Sequence, residues 1–501
     1  MFFSKRPIDT AAAIDLGSNS FHMIVARIEN GQIHVQDKLK EMVRLGGGLD
    51  AEGNLTPEAQ ERALDCLHRF GERIRGLPPH AVRAVGTNTL RKARNRHVFL
   101  PLAETALGHR IEIVAGREEA RLIHLGVAHS MPKIDGRRLV MDIGGGSTEY
   151  IIGQGFEAEV MESLHMGCVS FSRRYFRNGR IDEENWLAAR IAAQRELEAI
   201  RHTYRAIGWN EAVGASGTLL SVARVLREQG WGEEGITRKG LKKLRKAMIE
   251  AGHVDRLVLK GLSEQRAPVF PGGVAIVEAT LMELDIELMK VSDGALREGL
   301  IYDLIGRGEP ESIRGRTVQT LARRLQVDEE QARRVATFAE RLFQGVAEDW
   351  GLEQEDLELL QWSASLHEVG RVIAHSQYHK HGHYLLAHAD MPGFSLQDQQ
   401  SLALLVRAHR RKFPARLFAE LPPEEARRLE RLALLLRLSV LLHRSREDRE
   451  IPLQGIRGQE AGLKISFDEE WLEAHQLTRT DLLAERALLE AAGLQLKVKG
   501  A

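Results

Sequence analysis

The segment Asp15-Leu16-Gly17-Ser18-Asn19-Ser20 returns 127 residues later as Asp142-Ile143-Gly144-Gly145-Gly146-Ser147, with Asp, Gly and Ser matched at the first, third and sixth places. An apolar run precedes each copy (Ala11-Ala12-Ala13-Ile14; Leu139-Val140-Met141) and another follows it (Met23-Ile24-Val25; Tyr150-Ile151-Ile152). Each copy therefore reads as strand, tight polar turn, strand. Such a turn directs several backbone N–H groups and a serine hydroxyl at one point, which suits phosphate oxygens, while its aspartate can hold Mg²⁺ or a water. Two copies predict two related lobes facing one another across a phosphate-sized cleft.

A chain of 501 residues, 43% apolar and 28% charged, can bury several cores. Its formal net charge is zero, so a polyanionic substrate needs a local basic patch. Two cysteines, Cys66 and Cys168, are too few for a disulfide framework and fit a reducing cytoplasm. No apolar stretch reaches membrane-span length, and Met1-Phe2-Phe3-Ser4-Lys5-Arg6 lacks the apolar core of a signal peptide. A cytoplasmic protein with no integral membrane segment is the expectation, compatible with peripheral attachment to a membrane; nucleic acid is not an expected partner.

Strand and helix signals alternate as far as about residue 305, which makes this part α/β. Expected are a helix from Pro57 to Arg75 with Thr56 as N-cap, a strand at Ala81–Val85, a strand at Arg110–Val114 and a helix from Arg117 to about His129. A long helix near 182–205, a strand at Glu211–Val213 and the turn Gly214-Ala215-Ser216-Gly217-Thr218 follow. After a linker at Gly306-Arg307-Gly308-Glu309-Pro310, helical periodicity takes over from Ser312 to about Leu442. The tail adds strands at Leu463–Phe467 and Leu494–Val498 around a helix at Arg479–Ala492. The expected division is lobe I at 1–125, lobe II at 126–306, an all-α domain at 307–426 and a small α+β domain at 427–501.

Six motifs occur in order over about 290 residues: Asp15–Ser20 with Phe21-His22-Met23; Gly86-Thr87-Asn88-Thr89-Leu90-Arg91; Gly116-Arg117-Glu118-Glu119-Ala120; Asp142–Glu149; Gly214–Thr218; and Ser292-Asp293-Gly294-Ala295-Leu296-Arg297-Glu298-Gly299. Together they resemble the exopolyphosphatase and guanosine pentaphosphate phosphohydrolase family, within the superfamily of sugar kinases, actin and chaperone ATPases. The resemblance implies two actin-like, ribonuclease H-like lobes, and the helical half and tail resemble the long, four-domain members, in which the all-α domain is HD-like. It also implies a homodimer.

Phosphoanhydride hydrolysis needs an oriented water, a carboxylate to deprotonate it, and N–H donors or positive charge on the phosphoryl oxygens. Glu119, in the first turn of a helix following a strand, is the candidate base, and the resemblance implies the same residue. Glu118 points about 100° away around the helix and is expected to be a solvated surface acid. Asp142 and Glu149 flank a tight turn, and two carboxylates at one anionic site call for a cation. Asp15, carried over from the family motif, is the third metal-binding candidate; Mg²⁺ is expected, with Mn²⁺ as the alternative. The phosphate cradle is expected from Ser18, Asn19, Gly144, Gly145, Gly146, Ser147, Ser216, Gly217 and Thr218. Arg91 resembles the family's phosphate-contacting arginine. Lys92, Arg94 and Arg96 read as a solvated face, while Arg173, Arg174 and Arg177 read equally as a path for a long anion or as surface charge.

Cys168 is rejected as a nucleophile, since no suitable histidine adjoins it and a small buried thiol explains it. His367-Glu368, with His375, His379, His381, His383, His388 and His409, resembles a metal-dependent HD site, but the usual His-Asp pair is His-Glu here and the upstream stretch Ala336–Phe343 holds no histidine. A degenerate HD-like domain is the expectation. The leading functional expectation is processive release of orthophosphate from inorganic polyphosphate; the alternative is conversion of guanosine pentaphosphate to the tetraphosphate, which ends in the same anhydride. A non-hydrolysing alarmone sensor has no use for Glu119, and a sugar kinase is disfavoured because Glu119 suits water better than a sugar hydroxyl.

Overall fold

The computed structural model describes residues 8–29, 32–306, 312–448 and 450–499. Met1–Arg6 and linker positions 307–310 lie outside them. The chain forms two compact units, joined at 308/309.

The first unit opens with a three-stranded meander, β1 (Thr10–Leu16), β2 (Phe21–Glu29) and β3 (Gln32–Glu41), followed by α1 (Pro57–Ile74) and β4 (Val82–Gly86). Then come α2 (Asn88–Lys92), α3 (Arg96–Leu107), β5 (Ile111–Ile113) and α4 (Gly116–Ser130). The pattern repeats with β6 (Arg137–Ile143), β7 (Thr148–Gln154), β8 (Glu157–Leu164), α5 (Cys168–Tyr175), α6 (Glu183–Ile207), β9 (Glu211–Gly214) and α7 (Gly217–Glu228). It finishes with β10 (Ile236–Thr237), α8 (Arg238–Ala251), α9 (Phe270–Glu283), β11 (Leu288–Val291) and α10 (Leu296–Gly306). The first sheet has the order β3-β2-β1-β4-β5; the second runs β8-β7-β6-β9-β11 with β10 added at its edge. In both, the meander is antiparallel and the last strands join in parallel. The repeat in sequence is a repeat in topology.

Local chemistry explains the expected elements. Thr56 caps α1, its hydroxyl accepting from the Ala59 N–H at 3.4 Å, with Pro57 at the first helical position. Asp182 caps α6 through Asn185 N–H at 2.8 Å, and Gly208 ends that helix at φ 69°. β10, β11, α8 and α9 were not expected; α9 is buried almost all round and shows no helical stripe.

The expected boundary at 125/126 cuts α4. This helix packs against β7 and β8 of the second sheet, whereas α10 packs against β1, β2 and β4 of the first. The two helices share one core with both sheets: Ala13 and Val85 on one side, Val140 and Val213 on the other, with Ile123, Val127, Leu300 and Ile301 between. A Cβ on Gly126 would stand 1.9 Å from Ala295 O, and one on Gly299 would stand 1.8 Å from Leu122 O. Glycine at both positions lets the two helices touch along their backbones.

The second unit is helical: α11 (Ile313–Arg324), α12 (Glu329–Gln344), α13 (Ala347–Trp350), α14 (Gln354–Leu366), α15 (Tyr378–His388), α16 (Leu396–Ala408), α17 (Ala415–Phe418) and α18 (Pro423–Leu442). It ends with β12 (Leu453–Gln459), β13 (Gly462–Phe467), α19 (Glu469–Ala474), α20 (Gln476–Glu490) and β14 (Gln495–Lys499), the strands forming one sheet in the order β12-β13-β14. The expected division at 426/427 falls inside α18. Helices and tail sheet bury Leu360, Leu405, Leu436, Leu463 and Leu496 in one continuous core, so they fold as one body. Among the described residues no helix is long and apolar enough to cross a membrane.

Candidate active site

Both repeated turns sit at the carboxyl ends of their leading strands, where open α/β sheets bind ligands. They meet. A Cβ on Gly145 would lie 2.9 Å from Ser18 Cβ, so the turns of β1–β2 and β6–β7 are in contact. Each closes in a similar way: the Gly144 N–H donates to Ser147 O at 2.9 Å, and Gly17 lies against Ser20 O. Between the turns is a cleft of about 390 Å³, lined by Asp15, Gly17, Ser18, Asn19, Glu119, Asp142, Gly144, Gly145, Ser216, Gly217 and Thr218.

Glu119 is 8% exposed and hangs from the first turn of α4 at the cleft wall. Its Oε2 accepts from Arg91 Nη1 at 2.7 Å, and the same nitrogen donates to Val114 O at 2.7 Å. Arg91, expected on phosphate, therefore stands behind Glu119 and outside the cleft lining. Glu118, expected at the surface, is 3% exposed. It pairs with Arg121 at 2.8 Å, and both Arg121 and the fully buried Arg83 pair with Asp303 of α10. The 100° turn between neighbouring helix positions points it into the α4–α10 contact instead of into water.

Asp15 and Asp142 lie at the cleft floor. Burial, then the charge of Glu119, pushes the Asp15 carboxyl up to about 8, against the pull of Arg297. The same two causes push Asp142 up to about 7, opposed by Arg297 and Arg266. Glu149 is 1% exposed and stands behind Asp142, outside the cleft lining, with Ser163 Oγ donating to it at 2.9 Å. Burial first, then Glu119 and Asp142, hold its carboxyl well above the usual range. Two polar atoms in the cleft are buried without a partner: Asp15 Oδ1, an acceptor, and Asn19 Nδ2, a donor. Asp15 Oδ1 is thus open to a donor or cation, and Asn19 Nδ2 to an acceptor oxygen.

The rest of the expected cradle divides. Ser216 lines the cleft while capping α7 through Leu219 N–H at 3.2 Å, and this places the α7 N-terminus at the cleft. Ser18 accepts from Thr89 Oγ1 at 2.7 Å. Gly146 and Ser147 turn away: Gly146 faces Asn88, and the Ser147 hydroxyl bonds Glu149. Arg173, Arg174 and Arg177 are exposed and outside the lining, as are Lys92 and Arg94, whereas Arg96 is only partly exposed. Cys168 is buried in the lining with its thiol pushed up by desolvation, which agrees with its rejection as a nucleophile.

Among the other lining residues, His22, Lys38, Lys40, Arg266 and Arg297 received no role from the sequence. His22 and Arg297 lie in motifs that were recognised but not interpreted. Across the β1–β2 ladder Asp15 pairs with His22, as Asp142 pairs with Glu149 across β6–β7. His22 is thus the lobe I counterpart of Glu149, again 127 residues apart. Its Nε2 is 2.7 Å from Ser20 Oγ and its Nδ1 3.1 Å from Arg297 Nη1. Burial, then Arg297, Lys40 and Arg266, push its pKa down to about 3, so the imidazole is neutral. Arg266 lies over Gly217, where a Cβ would meet its guanidinium at 2.1 Å. Lys40, Arg266 and Arg297 make the local basic patch that a neutral chain needs for a polyanion.

The Ppx/GppA phosphatase family matches residues 24–307, and its domain III matches 313–486. The chain is 41% identical over 478 residues to the guanosine-5'-triphosphate,3'-diphosphate pyrophosphatase of Vibrio cholerae, covering 95% of each chain. It is 39% identical over 477 residues to the protein of the same name from Aliivibrio fischeri, again over 95% of both. An exopolyphosphatase from Cytophaga hutchinsonii is 27% identical with a TM-score of 0.54, spanning 59% of this chain and 97% of that one. The Aquifex aeolicus member of the Ppx/GppA family gives 26% and 0.51, spanning 60% and 100%. On the family match, the full-length relatives and the shared two-lobed architecture, this chain belongs to the Ppx/GppA phosphatase family.

Proposed function

We propose that the cleft hydrolyses the terminal phosphoanhydride of a phosphate chain. The observation that carries this reading is Glu119: a carboxylate fixed by Arg91 and Val114 at the wall of a cleft formed by two facing phosphate-type turns. Water attacks the terminal phosphorus as Glu119 Oε1 or Oε2 takes its proton. The P–O bond to the bridging oxygen breaks, and the shortened chain leaves with that oxygen. Asn19 Nδ2, the backbone N–H of Gly145 and the α7 N-terminus hold the terminal phosphoryl oxygens. Arg266, Arg297 and Lys40 meet the remaining negative charge.

Asp15 and Asp142 suit a Mg²⁺ ion, with Mn²⁺ as alternative: Asp15 Oδ1 lacks a partner, and both carboxyls are held up by burial and by Glu119. Among the described residues no three His, Cys, Asp or Glu side chains could hold a metal together. The expected set of Asp15, Asp142 and Glu149 therefore reduces to two carboxylates at the floor, with Glu149 behind, and phosphate oxygens and waters complete the shell. When bound, the ion neutralises charge on the phosphate oxygens.

The substrate we favour is guanosine pentaphosphate, because relatives bearing that activity in their names align over 95% of both chains. Inorganic polyphosphate is the second reading; it has the same terminal anhydride, and the similar Cytophaga hutchinsonii protein is named for it. Phosphate release by the full-length protein from each compound, with Mg²⁺ and with EDTA, tests this. Faster release from the pentaphosphate is expected, lost with EDTA and lost in Glu119→Gln. Faster release from long polyphosphate reverses the order, and no release from either removes the hydrolase reading.

The HD-like character of the helical unit belongs to the same proposal, supported by His367, His379 and His409 lying near one another, with ring centroids 5.4 and 6.3 Å from His409. Glu368, in place of the usual aspartate, is engaged by Arg371 at 3.0 Å and by Arg446. A homodimer is proposed on the family resemblance, for sedimentation to test. A cytoplasmic location is proposed on two cysteines that are both free.

A further inference from the structure

The two repeated turns differ in what their last serine does. Ser20 and Ser147 hold the same place in the repeat. Two residues on stand His22 and Glu149, each opposite its turn's aspartate across the ladder. Both serines bond that residue: Ser147 bonds Glu149, and Ser20 Oγ lies 2.7 Å from His22 Nε2. The two partners have opposite chemistry. An ionised carboxylate only accepts, so Ser147 gives its one proton to Glu149.

A neutral imidazole accepts at one nitrogen and donates at the other, and Arg297 of α10 decides which. Its Nη1 lies 3.1 Å from His22 Nδ1. A guanidinium donates and never accepts, so Nδ1 is the acceptor and the ring is neutral. The ring proton therefore sits on Nε2 and is donated to Ser20 Oγ. This leaves the proton of Ser20 itself unclaimed, because among the described residues its hydroxyl makes no other hydrogen bond.

A second observation points to a ligand at the same place. Ser20 is 8% exposed and lines the cleft next to Asn19, whose Nδ2 is buried without a partner. Adjacent residues thus present two donors that lack acceptors. The cleft around them is lined by Lys40, Arg266 and Arg297, so an anion's oxygens suit both donors. Lobe II has no matching donor, since its serine is turned to Glu149 behind the floor.

We propose that His22 is a positioning residue: held by Arg297 in the Nε2–H tautomer, it makes Ser20 a hydrogen-bond donor to a phosphoryl oxygen in the cleft. This assignment rests on the phosphoanhydride reading of the cleft, and adds to it one substrate contact and the residue that sets that contact.

Calorimetric titration of full-length Glu119→Gln with inorganic tripolyphosphate and Mg²⁺ reads the contact without turnover. Adding Ser20→Ala should weaken binding about tenfold or more, whereas Ser20→Thr, which keeps the hydroxyl, should weaken it far less. His22→Ala should weaken binding at least as much as Ser20→Ala. The Ser20→Ala/His22→Ala pair should lose no more than the larger single loss, because the two residues act as one unit. His22→Gln sets an amide donor at the place of Nε2 and should recover most of the loss. His22→Asn, whose amide reaches only the place of Nδ1, should not. Thermal melts confirm that each variant is folded, and the Ser20 and His22→Gln arms suffice if His22→Ala is not.

Unchanged binding in Ser20→Ala overturns the proposal, as do additive losses in the double variant. Recovery by His22→Asn and not by His22→Gln also overturns it, since His22 would then act through Arg297 alone. Phosphate release from guanosine pentaphosphate by the chain with Glu119 intact is measured alongside. If that release is absent while the binding pattern is as expected, the hydrolase reading fails and the Ser20 contact stands.

Discussion

Arg91 Nη1 lies 2.7 Å from Glu119 Oε2 and equally close to Val114 O, so one guanidinium nitrogen ties the proposed general base to the end of the β5 strand segment. The base is thus aimed before substrate arrives. Glu119→Gln should lower kcat by about 10²–10⁴-fold with little change in KM. Arg91→Ala should lower kcat by about 10²-fold through misplacement of that carboxylate, with Arg91→Lys recovering part. Steady-state phosphate release separates kcat from KM; a pure KM effect in Arg91→Ala would make it a substrate contact instead.

The acids at the cleft floor give the metal-free protein a definite pH dependence. Asp15 rises from 3.8 to about 8 and Asp142 from 3.8 to about 7 on folding. Through these two groups the folded state binds more protons than the unfolded one, so their contribution to stability falls as pH rises from about 4 to about 8, while the depressed His22, His124 and His379 act in the opposite sense below about 6.5. Thermal melts in EDTA should show the decline between about pH 7 and pH 8, above the range in which the histidines titrate, and Mg²⁺ should flatten it. Asp15→Asn should raise the metal-free midpoint at pH 8 while abolishing turnover; an unchanged midpoint would contradict the assigned burial.

Contact between the facing turns can be probed with one methyl group. Gly145→Ala would place a Cβ 2.9 Å from Ser18 Cβ, which forces the two turns apart. Activity should drop by at least tenfold while the fold is retained. Gly167→Ala is harsher, since its Cβ would meet backbone atoms of Gly145 and Gly146 at 2.4 Å. Loss of thermal stability is expected there as well, measured by differential scanning calorimetry.

Asp303 of α10 neutralises two buried arginines, Arg83 and Arg121. Asp303→Ala leaves both short of a partner and should cost about 3–5 kcal/mol in urea unfolding. Because Arg121 also holds Glu118, the residue next to the base, surviving protein should show reduced kcat even where it is fully folded.

Much of this protein was legible in the chain. The duplicated turn foretold two lobes of one topology, because a period-2 apolar run broken by Gly and Ser specifies strand and turn from local sterics alone. The same local rules placed α1, α4, α6 and the helical half, as well as Glu119 on its helix and Asp15 and Asp142 at their turns. What the chain could not state was which element each helix covers. α4 and α10 exchange lobes because Gly126 and Gly299 let their backbones touch, a relation between residues 173 positions apart. That packing buried Glu118, set Arg91 against Glu119, and carried Arg266 and Arg297 to the cleft. Periodicity and turn chemistry act over a few residues and are written in sequence, whereas burial and charge pairing depend on surfaces that exist only once the sheets have closed on one another.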